Sequence, residues 1–241
     1  EIDSGQHRTG LLPDDPGVLG CARILSGSAN CELSGTMTHG GHSYDCETIA
    51  EIKNVAEAER SAVVMAADAI RGIGLTCPIV SVGSTPTALH VECLDGVTEM
   101  RPGVYMFGDL FQCSIGSCNF DDLALSVLVS VNAWRADEQR AMVDAGALAL
   151  SLDRGAPDGN GEYAFGMAAD MNGAPLTGRP RIRQVNQEHG FLMGLRDRPD
   201  IGQRLRILPN HACSTAAQYE IYHVIDGDGQ IVDRWQRTGG W

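Results

Sequence analysis

The sequence predicts two successive architectures, an α/β segment over residues 1–108 and an antiparallel β-rich segment over residues 109–241. In the first, short apolar runs alternate with helix-like stretches, which is the pattern of βα units over a parallel sheet. From about Asp109, β-branched residues recur between Gly/Asp turns, which is typical of antiparallel strands. We therefore expect two domains with their boundary near residue 108.

Helical and strand-like patterns place the elements of the α/β segment. The clearest helix runs from about Cys46 to Arg71, because apolar residues recur there at helical spacing with charges between them. A shorter helix is expected over Pro16 to Ser26. Four strands are expected, around Asp3, Thr36, Val80 and Tyr105.

Turn residues divide the β-rich segment into short pieces. Its strand-like runs are LALSVLVSVNAW, ALALSLDRG, RLRILPNH, YEIYHVID and DGDGQIVDRW. Gly155 to Arg179 is rich in glycine, proline and asparagine and predicts a long loop or an irregular hairpin. CSIGSC, with Cys113 and Cys118, is expected to be a hairpin with two thiols, because no second cysteine pair follows to complete a zinc knuckle.

Composition and charge restrict the classes of partner. The 241 residues are 43% hydrophobic and 20% charged, which is typical of a globular protein. The 31 acidic and 18 basic side chains give a net charge of -13, which argues against nucleic acids and membrane surfaces as partners. The cysteines are scattered and no apolar run approaches the about 20 residues of a membrane span. We therefore expect reduced thiols in a cytoplasmic protein.

Two glycine-containing loops follow predicted strands. The loop Gly83 to Thr87 (GSTPT) combines hydroxyl side chains with free backbone N–H groups, which together can hold a phosphate. The loop Thr38 to Tyr44 (THGGHSY) brings two histidines and a tyrosine to the end of a strand, where α/β folds place function. An ordinary polar turn remains an alternative for both loops.

The segment Pro209 to Cys213 (PNHAC) places an imidazole and a thiol two residues apart. On an extended segment, His211 and Cys213 project from the same face and can bind one metal ion. Two protein ligands leave positions open for water or substrate, as in a catalytic zinc site. The alternative, a solvent-facing histidine beside a buried cysteine, is favoured by the spacing alone.

The chain contains a single lysine, Lys53, on the predicted long helix near Glu47, Glu51 and Glu57. Such charges are typical of a solvated helix face, so Lys53 is a poor candidate for covalent chemistry with a carbonyl cofactor. Covalent lysine chemistry would require residues that this chain does not contain.

Motifs along the whole chain support a family assignment when they are taken in order. They are EIDSGQHRTG, THGGHSY, VSVGSTPT, RPGVYMFGD, EHG, LPNHAC and the terminal GGW. Together they resemble the D-serine dehydratase and D-threonine aldolase family of fold-type III enzymes. The resemblance implies the C-terminal half of a (β/α)8 alanine racemase-like barrel that binds pyridoxal 5′-phosphate (PLP), followed by a β domain with a metal site.

The resemblance also implies a missing N-terminal part of about a third of a typical member, including the lysine that binds PLP and removes the α-proton. A complete (β/α)8 barrel needs about 250 residues, whereas only four strands are predicted before the β-rich segment. An open half barrel leaves strand edges unpaired and apolar faces wet. We therefore expect the chain to be a fragment that is unstable alone.

The resemblance assigns the cofactor contacts. Arg8 matches the arginine that bonds the phenolic oxygen of PLP, a role that suits a guanidinium. His39 and Tyr44 match positions beside the pyridine ring. The positions that match the phosphate site are Gly83, Ser84, Thr85, Gly103 and Tyr105.

His211 and Cys213 match the two metal ligands of the family, with Zn2+ expected and other divalent metals possible. The second ligand is usually a carboxylate in the aldolase branch, whereas a thiolate points to the zinc-dependent dehydratase branch. The resemblance thus implies a homodimeric lyase for small D-amino acids, most simply converting D-serine to pyruvate and ammonia. The alternatives are retro-aldol cleavage of D-threonine or 3-hydroxy-D-aspartate, and an inactive fragment.

Overall fold

The structure, a computed structural model, describes residues 1–155, 162 and 164–239. Contacts within the chain divide it into two units, Glu1–Tyr105 with Ile115–Ser117 and Met106–Ser114 with Cys118–Trp241. Each unit encloses a hydrophobic core of its own. The predicted domain boundary near residue 108 stays a prediction.

The first unit, all of whose residues are described, consists of a parallel sheet and helices. The helices are α1 (Pro16–Ser26), α2 (Ile49–Gly72) and α3 (Thr85–His90), and the strands are β1 (Gly35–Met37), β2 (Ile79–Val82) and β3 (Glu99–Met100). The strands pair in parallel in the order β1-β2-β3. This confirms the α/β architecture, while its identity as half of a (β/α)8 barrel stays a prediction.

Helix α2 confirms the predicted long helix and shows why it begins where it does. The Thr48 hydroxyl accepts the N–H of Glu51, and the Glu51 carboxylate accepts the N–H of Thr48. This capping box satisfies two donors that a helix start leaves free. The buried face recurs every three or four residues: Ile52, Ala56, Glu59, Ala62, Val63, Ala66, Ala67 and Ile70.

Two strand predictions in the first unit are wrong. The strand expected around Tyr105 lies earlier, at β3, and Val104–Met106 forms a 3₁₀ turn. Pro102 has no N–H to donate, so the ladder ends before it. The strand expected around Asp3 is reduced to a single parallel bridge between Ile2 and Leu11, because the chain turns at Gly5, where φ is 121°.

Within its described residues, the second unit is built on a closed antiparallel barrel. The strands are β4 (Val127–Arg135), β5 (Arg140–Val143), β6 (Gly166–Ala169), β7 (Arg181–Val185), β8 (Gly190–Met193) and β9 (Arg204–Pro209). They follow the order β4-β5-β8-β7-β6-β9. Alternate residues of β4, namely Val127, Val129 and Val131, point into the core. The predicted antiparallel β-rich segment is therefore confirmed.

Short helices and a separate hairpin complete the described part of the second unit. The helices are α4 (Leu110–Ser114), α5 (Ala147–Leu150) and α6 (Ala212–Ala216). The hairpin pairs β10 (Ile221–Ile225) with β11 (Ile231–Gln236) in antiparallel fashion, as its sequence predicts. Among the described residues, no helix combines the length and the apolar character needed to cross a lipid bilayer.

Two local predictions in the second unit are wrong. The ALALS run forms α5 rather than a strand, because alanine and leucine favour helix and Ser151, with φ of 82°, ends it after one turn. CSIGSC is not a hairpin, since Cys113 lies in α4 and Cys118 in the loop that follows it. The two Sγ atoms lie 3.4 Å apart, and all the cysteines of the chain are free thiols.

The segment Gly155 to Arg179 is not a loop throughout, because it contains β6. This strand consists of small residues and one methionine, and every residue in it is buried. Small side chains let β6 fit between β7 and β9 within the closed barrel. Residues 156–161 and 163 of this segment lie outside the described residues.

A buried glutamate on α2 fixes two loops of the first unit. Glu59 is 2% exposed, and its Oε1 accepts the N–H of Gly40 at 2.7 Å and that of Gly83 at 3.1 Å. Gly40 follows β1 and Gly83 follows β2. Because buried N–H groups require acceptors, this carboxylate sets the spacing of the THGGHSY and GSTPT loops.

We predict that Glu59→Ala lowers the free energy of unfolding by at least about 2 kcal/mol, because each buried donor left without an acceptor costs about 1–3 kcal/mol. The matched control is Glu57→Ala on the same helix. Glu57 is 53% exposed in an ion pair with Arg60, so its loss should cost less than about 1 kcal/mol. Urea unfolding of the protein that carries this chain measures both, and equal losses would contradict the role given to Glu59.

In the second unit, Ile182→Ala should lower the free energy of unfolding by about 3 kcal/mol, because it leaves a cavity in the barrel core. Ile182 is 0% exposed on β7, whereas Ile201, the control, is 60% exposed. Ile201→Ala should change the stability by no more than about 0.5 kcal/mol. The same unfolding experiment compares them, and an equally mild effect of Ile182→Ala would argue against the described barrel core.

Candidate functional site

The loops that follow β1 and β2 meet through hydrogen bonds in the first unit. Nδ1 of His39 donates to the carbonyl oxygen of Gly83. The hydroxyl oxygens of Ser43 and Ser84 lie 3.1 Å apart in a buried hydrogen bond. The structure therefore brings the THGGHSY and GSTPT loops together.

Arg101, which follows β3, connects the end of that strand to the loops that follow β1 and β2. Its Nη2 donates to the carbonyl oxygen of Thr38 at 2.7 Å, and its Nη1 donates to the hydroxyl of Ser81. The Thr38 side chain in turn bonds the hydroxyl of Ser4 at 2.9 Å. The N-terminal segment and the ends of β1, β2 and β3 thus converge in one region of the first unit.

The GSTPT loop contains a buried hydroxyl that lacks a partner. Ser84 caps α3 by accepting the N–H of Thr87 at 3.3 Å. Thr85 is 2% exposed, and among the described residues its Oγ1 has no hydrogen-bond partner. A buried hydroxyl without a partner is costly unless a ligand or water supplies one. This orphaned donor fits a bound phosphate group such as that of PLP.

The N-terminal segment that bears Arg8 is ordered by a carboxylate. Asp3 accepts the N–H of Gly5 at 2.9 Å and that of His7 at 3.0 Å. These backbone hydrogen bonds lower the pKa of Asp3 to about 2. The Arg8 side chain is 53% exposed and pairs with Glu1 at 3.4 Å, so its guanidinium is accessible from solvent.

The remaining residues expected at the cofactor fall into two groups. The Tyr44 ring lies with its centroid 6.4 Å from that of His39, within the converging loops. Gly103 and Tyr105 are exposed, and Tyr105 keeps 60% of its surface in contact with solvent. The expected roles of Arg8, His39, Tyr44, Gly83, Ser84, Thr85, Gly103 and Tyr105 stay predictions.

Lys53 lies on the solvated face of α2, as predicted. Its side chain is 42% exposed and its Nζ pairs with Glu92 at 2.5 Å. A lysine held in this way at the surface is solvated and ion-paired, whereas carbonyl chemistry requires a desolvated amine.

In the second unit, His211 and Cys213 lie where β9 passes into α6. His211 caps the helix with extended dihedral angles, φ of -133° and ψ of 98°, whereas Cys213 is already helical. The expectation of an extended segment is therefore wrong, because the chain bends at Ala212. Cys213 is exposed, so the alternative of a buried cysteine is also wrong.

The two side chains nevertheless interact. A hydrogen bond with Cys213 raises the pKa of His211 to about 9, against the opposing effect of burial, and Asp153 adds to the rise. A protonated imidazole cannot bind a metal ion, so a metal ion at this position has to displace a proton. An imidazole beside a thiol is a suitable donor set for zinc.

A carboxylate from a distant segment contacts the imidazole. Nδ1 of His211 donates to Oδ2 of Asp153, 58 residues away in sequence. The Ser214 hydroxyl donates to the same oxygen at 3.0 Å. Burial raises the pKa of Asp153, but these hydrogen bonds outweigh it, and the net shift is downward. Since Nδ1 is engaged, Nε2 is the nitrogen left for a ligand.

A second carboxylate fixes the backbone between His211 and Cys213. Asp109 is 2% exposed, and its Oδ2 accepts the N–H of Ala212 at 2.8 Å. Its Oδ1 accepts the N–H of Gln112, also at 2.8 Å. Burial raises the pKa of Asp109 in spite of these bonds. Asp109 thereby holds the start of α6 against α4.

Two candidate metal ligands, His211 and Cys213, lie at the start of α6. Among the described residues, no set of three or more histidine, cysteine, aspartate or glutamate side chains is arranged to hold a metal ion. The pair His211 and Cys213 would leave the remaining positions of a tetrahedral zinc ion to water or substrate, as catalytic zinc sites require. The residues present therefore fit a catalytic zinc better than a structural one.

Sequence reasoning missed the three carboxylates that position these groups, Glu59, Asp109 and Asp153. Glu59 carried a signal, because it shares the helical spacing of the buried residues of α2. Asp109 and Asp153 stand among turn residues, where aspartate is ordinarily exposed. Their contacts join segments 103 and 58 residues apart in sequence, and spacing alone gives no indication of them.

Two family models match the chain, one on each side of the region where the two structural units divide. Residues 1–110 match the model described as "Alanine racemase, N-terminal domain". Residues 124–225 match the model described as "Putative serine dehydratase domain". Together the two models account for both the α/β and the β-rich segments.

Curated relatives align along the whole chain. D-threo-3-hydroxyaspartate dehydratase from Delftia sp. strain HT23 is 44% identical over 100% of this chain and 65% of its own length. D-serine dehydratase from Dictyostelium discoideum is 32% identical over 100% of this chain and 64% of its own length. D-threonine aldolase from an Arthrobacter species is 26% identical over 98% of this chain. The chain thus spans just under two thirds of the two dehydratases.

A solved structure agrees with these alignments. The crystallised D-threo-3-hydroxyaspartate dehydratase from Delftia sp. HT23 superposes with a TM-score of 0.89 at 43% identity, covering 100% of this chain and 65% of that one. A further structure of a D-threo-3-hydroxyaspartate dehydratase is that of a cysteine-to-alanine variant, described as the metal-free form. The chain therefore belongs to the D-serine dehydratase and D-threonine aldolase family.

Proposed function

We propose that the protein carrying this chain is a PLP- and zinc-dependent lyase that removes water from a small D-3-hydroxy amino acid. D-serine would give pyruvate and ammonia, and D-threo-3-hydroxyaspartate would give oxaloacetate and ammonia. The observation that carries the proposal is the joint presence of His211 and Cys213 at the start of α6. The dehydratase relatives at 44% and 32% identity support the reaction class.

Residues of the first unit would hold the cofactor. The hydroxyls and N–H groups of Gly83, Ser84 and Thr85 would bind its phosphate, and the orphaned Oγ1 of Thr85 supports this. Arg8, His39 and Tyr44 would contact the ring, with Gly103 and Tyr105 at the phosphate. The chemistry that PLP supplies when bound is an electron sink that acidifies the α-hydrogen of the amino acid. Lys53, exposed and paired with Glu92, does not suit removal of that proton.

Residues of the second unit would hold the metal ion. His211 and Cys213 would bind zinc through nitrogen and sulfur, and other divalent metals remain alternatives. The chemistry that zinc supplies when bound is Lewis-acid assistance to the departure of the β-hydroxyl group. Asp109 keeps the backbone of the ligand pair in place, because it holds the N–H of Ala212. A homodimer in the cytoplasm stays our expectation for the full-length protein.

Retro-aldol cleavage is the second candidate. The D-threonine aldolase relative supports it, but at 26% identity, compared with 44% for the hydroxyaspartate dehydratase. The thiol of Cys213 also favours the dehydratase branch, by the family resemblance. A third possibility, an inactive fragment, rests on the position of Lys53 as the sole lysine of the chain.

Product analysis separates these candidates. With PLP and zinc present, the protein that carries this chain should release ammonia and a 2-oxo acid from D-serine or D-threo-3-hydroxyaspartate. A coupled lactate or malate dehydrogenase assay detects pyruvate or oxaloacetate. Glycine and an aldehyde would instead identify an aldolase. No product from any of these D-amino acids, in a protein shown to hold PLP, would overturn the proposed reaction.

Removal of the metal should abolish elimination without removing PLP. We predict that chelation and His211→Ala each lower kcat/KM by about 100-fold or more, because Lewis-acid stabilisation is worth several kcal/mol. His223→Ala, in the exposed part of β10, is the matched control and should retain activity. Absorbance of the cofactor reports PLP content. Undiminished turnover in both the chelated protein and His211→Ala would remove zinc from the mechanism.

A further inference from the structure

We propose that Asp153 is a positioning residue for the metal site: it holds the Nδ1 proton of His211, so that the Nε2 lone pair is presented to the metal ion. This inference rests on the proposed function, which supplies the metal. Nothing in the spacing of the PNHAC motif indicates a third participant, because Asp153 belongs to a different segment of the second unit.

The contact between Asp153 and His211 is directional. Nδ1 of His211 points at Oδ2 of Asp153, and a carboxylate can only accept a hydrogen bond there. When the imidazole is neutral, its single proton therefore stays on Nδ1, and Nε2 is unprotonated. Metal-bound histidines commonly have such a partner on the second nitrogen, because it fixes the ring orientation and raises the basicity of the ligand atom.

Hydrogen bonds on both sides of Asp153 connect its segment to the segment that contains His211 and Cys213. Before Asp153, the Thr215 hydroxyl donates to the carbonyl oxygen of Leu150 at 2.9 Å. After it, Nδ2 of Asn210 donates to the carbonyl oxygen of Arg154 at 2.7 Å. Thr215 is 0% and Asn210 is 4% exposed, so both anchors are buried. These two hydrogen bonds fix the backbone on either side of Asp153 and so place its side chain beside His211. In an ordinary surface ion pair, only the two side chains hold each other.

Ser214 completes the arrangement. Its hydroxyl donates to Oδ2 of Asp153 at 3.0 Å and lies 3.2 Å from Nδ1 of His211. A second donor on the carboxylate limits the rotation of Asp153 and favours the rotamer that faces the imidazole. Ser214 lies between Cys213 and the buried Thr215 in the first turn of α6. The helix therefore fixes the backbone of Ser214.

The position of Asp153 also makes the inference testable without unfolding the protein. The Asp153 side chain is 51% exposed, so its truncation leaves no cavity in the core. Asp109, in contrast, is buried and holds two backbone N–H groups, so its substitution would disturb the fold. Asp153 is therefore the carboxylate whose effect on the metal can be separated from an effect on stability.

The test measures zinc affinity by competition with a chromophoric chelator, on the PLP-loaded protein that carries this chain. We expect Asp153→Ala to raise the zinc Kd about 10–100-fold, the usual effect of losing such a partner. Asp153→Asn should recover part of the affinity, because its amide oxygen still accepts the Nδ1 proton. Asp137→Ala, an exposed aspartate of the same unit, controls for the loss of one negative charge. Thermal stability and PLP content should match the wild type in all three variants.

Cobalt substitution provides a readout that a purely structural role would not change. The thiolate-to-cobalt charge-transfer band of the protein loaded with Co2+ reports the geometry at Cys213 and His211. We expect this band to shift or weaken in Asp153→Ala and to recover partly in Asp153→Asn.

The outcomes distinguish this inference from the proposed function. Wild-type zinc affinity in Asp153→Ala, together with loss of zinc in His211→Ala, would overturn only the role of Asp153. A loss of zinc in Asp153→Ala that accompanies an equal loss of stability and PLP would also overturn it, in favour of a structural role. Wild-type affinity in His211→Ala would show that the proposed zinc site itself is wrong, and the inference would fall with it.

Discussion

The loops that carry the candidate site turn backbone N–H groups into the interior, and each of these groups needs an acceptor. In the first unit, Glu59 supplies one acceptor for both Gly40 and Gly83. In the second, the two carboxylate oxygens of Asp109 accept the N–H groups of Gln112 and Ala212. A buried carboxylate is stable only where such donors converge on it. The positions of both loop groups therefore depend on these two carboxylates.

The candidate metal ligands show how the geometry of a short motif depends on distant parts of the chain. His211 and Cys213 are two residues apart in sequence, but their geometry is set by the bend at Ala212 and by the contact with Asp153. The buried side chains of Asn210 and Thr215 fasten the segment that bears Asp153. The two candidate ligands and the two anchors thus lie within residues 210–215, where β9 passes into α6. Open coordination positions are what a reaction on a hydroxyl group requires.

The sequence predicted elements that depend on local pattern and failed where tertiary context decides. Helix α2 was predicted from apolar residues at helical spacing, and the β10–β11 strands from turn residues between strand-like runs. The prediction for the ALALS run failed because its alternation resembles a strand pattern, whereas alanine and leucine favour helix. Strand β6 was missed because its small residues carry no β-propensity, and its identity as a strand comes from pairing with β9.

The residues of the candidate site also fall into those that the sequence predicted and those that only the fold reveals. His211 and Cys213, and the THGGHSY and GSTPT loops, were identified because their chemistry is concentrated in short motifs. The carboxylates that position them belong to distant segments or, for Glu59, to a helix face where glutamate is not expected. Only the folded chain shows that Asp153 contacts His211 and that Asp109 holds the N–H of Ala212, between the two candidate ligands.

We propose that His211 and Cys213 hold a metal ion and that Asp153 orients the imidazole of His211 toward it. The most direct measurement is anomalous X-ray scattering at the zinc absorption edge, from crystals of the protein that carries this chain grown with zinc. We predict a peak about 2.0–2.1 Å from Nε2 of His211 and about 2.3 Å from Sγ of Cys213, with Nδ1 still bonded to Asp153. A peak bound at other residues, or bound through Nδ1 of His211, would contradict this account.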